Sequence, residues 1–193
     1  MKGLACFSGT AVCLELPNID TDQIIPARFL LRSRGAGYSD LLFRDSRFNS
    51  MGEKLPEHVL NLPEGRLASI LVVNNNFGCG SAREQAAYAL HDFGIRAIIA
   101  PSLGEIFRLN CIRNGVIPAV VSEAISVRLH EWLSEGAQVM CVDLARRLVI
   151  TTDLQASFGI EDINADRLME GRDEIEETFT LESKISAFEK KVF

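Results

Sequence analysis

Short runs of consecutive apolar residues alternate through the middle of the chain with stretches whose apolar positions recur at helical spacing, the pattern of parallel strands joined by crossover helices. Ser69 to Asn74 is continuous and β-branched, as a strand buried on both faces requires, and three asparagines end it. From Ala82 to Phe93, Ala86, Ala89, Leu90 and Phe93 fall on one helical face, and Gly94 is placed to accept the left-handed conformation that closes a helix. Arg96 to Ala100 reads as a second strand stopped by Pro101. Ile106, Leu109, Cys111 and Ile112 suit a helix ending at Asn114-Gly115, and Val116 to Val121 reads as a third strand. Ser122 to Gly136 predicts a helix with Ile125, Leu129, Trp132 and Leu133 inward, Val139 to Thr151 two strands around Leu144 to Arg147, and the last forty residues one or two helices. Ser33 to Pro63, rich in Gly, Arg, Asp and Asn, predicts loop and short helix over the sheet's edge.

Composition narrows the class. With 193 residues, 47% hydrophobic and 24% charged, residues 1–193 are expected to form a single domain around one core. A net charge of -6 with scattered Lys and Arg argues against a nucleic-acid partner. No apolar run approaches the roughly 20 residues that span a bilayer, and Met1 to Leu16 has no signal-peptide pattern, so no membrane association and a cytoplasmic location are expected. Five cysteines, widely spaced and without a Cys-x-x-Cys pair, suggest neither a disulfide framework nor a metal site, and His58, His91 and His130 lack ligand spacing.

The richest chemistry lies in Gly78-Cys79-Gly80-Ser81-Ala82-Arg83-Glu84, between a predicted strand and a predicted helix. Unpaired N–H groups and the helix dipole at such a start favour a carboxylate or phosphate, and glycines let the ligand approach. Arg83 could grip a carboxylate with two parallel hydrogen bonds. Equally, Ser81 with Glu84 three residues on is an ordinary capping box. Neither a dinucleotide fingerprint nor a P-loop fits, since the first needs glycine where Arg83 stands and the second a Gly-Lys-Ser/Thr ending. A second polar cluster, Asn18-Ile19-Asp20-Thr21-Asp22-Gln23, reads as an Asx turn or helix cap, or as paired aspartates that orient an arginine if this loop meets Arg83.

Together and in this order these stretches resemble a known family. Asp20-Thr21-Asp22-Gln23-Ile24-Ile25-Pro26 and Asn76-Phe77-Gly78-Cys79-Gly80-Ser81-Ala82-Arg83-Glu84 are similar to the two signatures of isopropylmalate dehydratase small subunits in the aconitase superfamily. Ile98 to Ser102, Glu105 to Phe107 and Asn114 to Pro118 continue the match in register, with looser echoes at Leu41 to Asp45 and Gly171 to Ile175.

That resemblance implies the aconitase swivelling domain, a three-layered β/β/α structure of the α/β class with a central parallel sheet. It also implies a large partner subunit carrying a 4Fe-4S cluster, with no metal or cofactor in this chain, and a small dicarboxylate substrate. The implied reaction dehydrates 2-isopropylmalate and rehydrates the alkene to 3-isopropylmalate in leucine biosynthesis, the iron acting as Lewis acid on the departing hydroxyl. By the same resemblance Ser81 is the base. Arg83 binds a substrate carboxylate, Gly80 and Ala82 border the substrate, and Asp22, with Asp20 and Thr21, orients Arg83. Glu84 holds the helix start or Arg83, and Arg32 and Arg34 fall where the superfamily's substrate-sensing loop lies. Three departures stand out: Ala82 replaces a serine, Gln85 a histidine, and Glu176-Glu177-Thr178 a Gly-Leu-Thr. They leave open a related hydro-lyase subunit for citraconate, dimethylmaleate or a homoaconitate-type acid, or a non-catalytic carboxylate-binding paralogue.

Overall fold

The computed structural model describes residues 3–34 and 37–192. Among them a seven-stranded sheet runs in the order β4-β3-β2-β1-β5-β6-β7. It comprises β1 (Cys6–Leu14), β2 (Ala68–Val73), β3 (Ala97–Ala100), β4 (Ile117–Val120), β5 (Gln138–Asp143), β6 (Leu148–Ile150) and β7 (Gln155–Ser157). The first four are parallel, and β5, β6 and β7 continue the sheet antiparallel from β1. The sheet curls on itself: after β7 the Gly159 N–H donates to the Val120 carbonyl at 2.7 Å, so the two ends of the strand order meet.

Period-two alternation sorts the parallel strands between two cores. Ile70, Val72, Ala97 and Ile99 face inward into the curl with Met140, Val142 and Val149 of β5 and β6. Leu71, Val73 and Ile98 face the opposite side, against Ala86, Ala87, Ala89 and Leu90 of α3 (Glu84–Phe93) and Phe107 and Cys111 of α4 (Glu105–Arg113). The layers are therefore β, β and α, as the resemblance implies. Each fully buried Leu or Ile contributes about 1.5–3 kcal/mol, and Ile70, Leu71, Ile98 and Ile99 are all completely enclosed.

The structure adds to the sequence reading and corrects it in places. β1, the central strand, has no clean alternation because Ser8, Gly9 and Thr10 occupy its first half; Gly9 is needed there, since a Cβ would collide with the Ser69 side chain. In α4 the inward residues are Phe107, Asn110, Cys111 and Ile112, while Ile106 and Leu109 are exposed. α5 (Glu123–Leu133) buries Leu129 and Leu133 as expected, with Ile125 and Trp132 partly covered. The C-terminal stretch holds three helices, α6 (Asp162–Glu170), α7 (Glu174–Phe179) and α8 (Glu182–Val192), as well as β7. Segment 33–63, of which Gly35 and Ala36 lie outside the described residues, forms 3-10 turns and the single-turn α2 (Arg44–Arg47). It covers α3 rather than only a sheet edge, and it delivers Tyr38, Leu41, Leu42, Phe43 and Leu60 into the core.

Candidate functional site

The loops following β1, β2 and β3 converge at the C-terminal ends of the parallel strands, where open α/β sheets place their ligands. The loop after β1 runs into α1 (Thr21–Ile24), a single turn capped by a reciprocal box. The Asp20 carboxylate accepts from the Gln23 N–H at 2.8 Å, and the Gln23 side-chain oxygen accepts from the Asp20 N–H at 2.9 Å. That loop is stitched to the glycine-rich loop after β2. The Gly78 N–H donates to the Ile19 carbonyl at 2.7 Å and the Thr21 N–H to the Cys79 carbonyl at 2.9 Å. The Thr21 hydroxyl reaches the Ser81 carbonyl at 3.0 Å, and the Asn76 amide reaches Asn18 Oδ1 at 2.8 Å. From the other side the loop after β3 contributes the Ser102 hydroxyl, which accepts from the Asn76 N–H at 2.8 Å, and the Gly104 N–H, which donates to the Phe77 carbonyl at 2.9 Å.

Glycine is required at Gly78 on two counts. Its φ is +72°, and any Cβ would strike the ring of Phe107, itself packed edge-on against Phe77 at 5.5 Å between centroids. The turn is thus wedged over the hydrophobic core, and the next residues are pushed outward: Gly80, Ser81 and Ala82 are exposed. None of these three donates its N–H to another described residue. The Ser81 hydroxyl likewise has no partner among the described residues.

The structure differs from the capping-box reading of Ser81 and Glu84. α3 starts at Glu84 with Arg83 as N-cap and no side-chain cap bond, while Ser81 engages only through its carbonyl, which accepts from the Arg83 N–H at 2.8 Å. The reciprocal box of this site is built by Asp20 and Gln23 instead. Glu84 turns away from Arg83 and accepts from the Asn114 amide at 3.2 Å.

Arg83 and Asp22, sixty-one positions apart in sequence, form an ion pair. The Arg83 side chain is 16% exposed and the Asp22 side chain 52%. The hydrogen bond and charge of Arg83 hold the Asp22 carboxyl below its ordinary range against a smaller opposing effect of burial, with the Ala27 N–H adding a weaker contact at 3.3 Å. Arg83 Nη1 is shielded from solvent and pairs with the Asp22 carboxylate.

Of the residues singled out from sequence, Asp20, Thr21, Asp22, Gly80, Ser81, Ala82 and Arg83 are brought together. The two arginines of the following loop are not. Arg32 is exposed and lies over the Phe29 ring, and Arg34 is bound to Asn114 Oδ1 at 3.2 Å and Asp92 Oδ1 at 3.1 Å, stacked 4.2 Å from the Tyr88 ring centre. Sequence reasoning missed Asn114. Its buried amide ties Glu84 to the end of α4, but its position before Gly115 signals only a helix end. The left-handed asparagines Asn18 and Asn76, which shape both loops, carried only the signal of the residue type itself.

No three His, Cys, Asp or Glu side chains among the described residues gather as a metal site. Cys6 and Cys141 approach to 3.5 Å, Cys111 is buried with its thiol pushed up by burial, and Cys79 stands alone beside the Asn18 carbonyl. These thiols do not fit an iron–sulfur cluster.

A family model described as the aconitase C-terminal domain matches residues 1–124. A protein of Shouchella clausii named 3-isopropylmalate dehydratase small subunit is 40% identical over 191 residues, covering 99% of this chain and 97% of the relative. The chain belongs to the family of 3-isopropylmalate dehydratase small subunits. A relative of the same name from Caulobacter vibrioides is 41% identical over 192 residues, covering 99% and 95%. The crystal structure of a 3-isopropylmalate dehydratase from Methanocaldococcus jannaschii superposes with a TM-score of 0.64 at 22% identity, covering 96% of this chain and 99% of that one, and so shares the fold. The β/β/α layering is thus the family's architecture, and among the described residues no helix is long and apolar enough to cross a membrane. The Ser81 turn lies at the surface of the chain.

Proposed function

We propose that the chain is the small subunit of a heteromeric hydro-lyase that converts 2-isopropylmalate to 3-isopropylmalate, acting with a large subunit that carries the 4Fe-4S cluster. The observation that carries the reading is the junction of the two signature loops: Asp22 fixes Arg83 beside a serine whose hydroxyl and neighbouring N–H groups are unpartnered. Full-length similarity to proteins named as small subunits supports the substrate and the partner.

Arg83 binds a substrate carboxylate. Its planar fork suits two parallel hydrogen bonds, and the ion pair to Asp22 sets its direction before substrate arrives. Ser81, as alkoxide, removes the carbon-bound proton. The electron pair of that C–H bond forms the alkene as hydroxide leaves the adjacent carbon, and the reverse addition places hydroxyl and proton on exchanged carbons. A serine alkoxide is strongly disfavoured in water; the free N–H groups around it and the Arg83 charge favour the deprotonated oxygen once the large subunit has closed over the turn and expelled water. The cluster supplies the Lewis acid for the departing hydroxyl, and its ligands belong to the partner. Ala82 is exposed with a free N–H, so the position lacks a hydroxyl but still presents a backbone donor to a carboxylate.

The test is co-expression with the large subunit, anaerobic reconstitution of the cluster, and measurement of alkene absorbance with 2-isopropylmalate against citraconate, dimethylmaleate and homoaconitate-type acids. Turnover preferring 2-isopropylmalate supports the reading. Preference for another diacid would overturn the substrate, and absence of any turnover with a loaded cluster would favour a carboxylate-binding paralogue.

A further inference from the structure

At the C-terminal ends of α3 and α4 a cleft is lined by Leu4, Arg34, His91, Arg96, Arg113 and Asn114. Three guanidiniums in one concavity stand out in a chain of net charge -6. Among the groups facing it, Asp92 pairs with Arg34 at 3.1 Å, Glu84 accepts from the Asn114 amide, and Arg113 has an interaction of its own. Helix C-termini account for part of this charge, because their free carbonyls attract cations. Arg96 Nη1 does that work, donating to the carbonyls of His91 at 2.8 Å and Ile95 at 2.9 Å. Its Nε and Nη2 have no acceptor among the described residues. Arg34 is held in place by Asn114, Asp92 and the Tyr88 face, so its guanidinium is oriented before any ligand enters.

We propose that this cleft is a binding site for a small dianion, a phosphate or a dicarboxylate, gripped by Arg96 and Arg34 with Arg113 beside them. It is separate from the Ser81 turn, which lies at the opposite end of α3. Charge-assisted bonds from guanidinium to such an oxyanion are the strong class of hydrogen bond, and the pre-set Arg34 fork reduces the ordering cost of binding. His91 is the internal reporter. Burial first, then Arg96, depresses its pKa, with Arg34 acting in the same direction and Asp92 opposing. A bound dianion opposes that depression, so occupancy raises the His91 pKa.

The test is a titration of the isotope-labelled full chain with inorganic phosphate and separately with malonate, following the His91 ring and the Arg96 side chain by NMR, with sodium chloride at matched ionic strength as control. The expected result is a saturable shift with one or both dianions, mutual displacement if both bind, and no comparable shift with chloride. Arg96→Gln and Arg34→Gln should each weaken binding by about tenfold. Should Arg96→Gln fail to fold through loss of its carbonyl contacts, Arg34→Gln, on a partly exposed side chain, decides alone. Absence of saturation, an equal response to chloride, or unchanged affinity in the folded variants would overturn the proposal. The Ser81 amide read in the same spectra separates this cleft from the proposed substrate site: a dicarboxylate that shifts Ser81 while neither dianion moves His91 supports the catalytic reading and refutes this one.

Discussion

The ion pair between Asp22 and Arg83 should matter far more for substrate binding than for folding. Asp22→Asn keeps the shape and removes the charge. Because the Asp22 side chain is 52% exposed, the lost pair is worth about 0.2–1 kcal/mol of stability, the range of solvent-screened pairs. The Asp20 and Gln23 box and the Thr21 contacts hold the loop without it. Arg83 is different: its side chain is 16% exposed, and Asp22 is the carboxylate that directs it. Releasing it costs orientation, and a loss of about 1.4 kcal/mol in ground-state binding is a tenfold rise in KM. The assay is steady-state kinetics of the reconstituted complex beside urea unfolding of the isolated chain. A roughly tenfold KM increase with a midpoint shift equivalent to under about 1 kcal/mol is expected. An unchanged KM, or a stability loss above about 2 kcal/mol, would refute the view that this pair positions a guanidinium. The pH dependence gives the sign. Asp22 has its pKa lowered in the folded chain, so the pair's contribution is complete above the unfolded value of 3.8 and is lost as pH falls through the lower folded value. Asp22→Asn should flatten the stability profile in that acid window.

Gly78→Ala should destabilise by about 2–4 kcal/mol, since the new methyl meets the Phe107 ring and φ is positive; a urea midpoint within error of wild type would contradict the wedge. Thr21→Val should cost about 1 kcal/mol and speed hydrogen exchange at the Arg83 amide, which donates to the Ser81 carbonyl, because the Thr21 hydroxyl bond to that same carbonyl helps tie the turn to α1. His58 Nδ1 accepts from the Leu60 N–H at 3.1 Å, and burial followed by Arg47 pulls the His58 pKa down to about 4. The neutral ring's contribution is therefore full above 6.5 and is lost as pH falls toward about 4, worth about 1–2 kcal/mol after allowing for partial exposure; His58→Asn should remove that slope from the urea midpoints.

The parallel strands were legible because Ser69 to Asn74 and Arg96 to Ala100 are apolar on both faces, a pattern with few other uses. β1 was not, because a central strand that must pass Ser69 at close quarters carries Gly9 in place of a bulky residue, and its signal disappears. In α4 the error was to group Ile106 and Leu109 with Cys111 and Ile112 and to omit Phe107, although the buried stripe is Phe107, Cys111 and Ile112 and leaves Ile106 and Leu109 outside. Within the site, the residue types of both loops were readable as motifs, but their meeting was not. Ser81 and Glu84 have the spacing of a capping box, yet α3 starts at Glu84 with Arg83 as N-cap, and the serine side chain makes no cap bond. Asn114 and Arg34 illustrate the converse, since a helix-end asparagine and a loop arginine find one another only through the fold.

Ser81→Ala in the cluster-loaded complex is the most direct trial of the account. The hydroxyl has no folding partner among the described residues, so the urea midpoint and KM should stay close to wild type while kcat falls by about a thousandfold, the loss expected on removing a general base. A kcat within tenfold of wild type, with the variant folded and its cluster intact, would show that the proton leaves the substrate by another route.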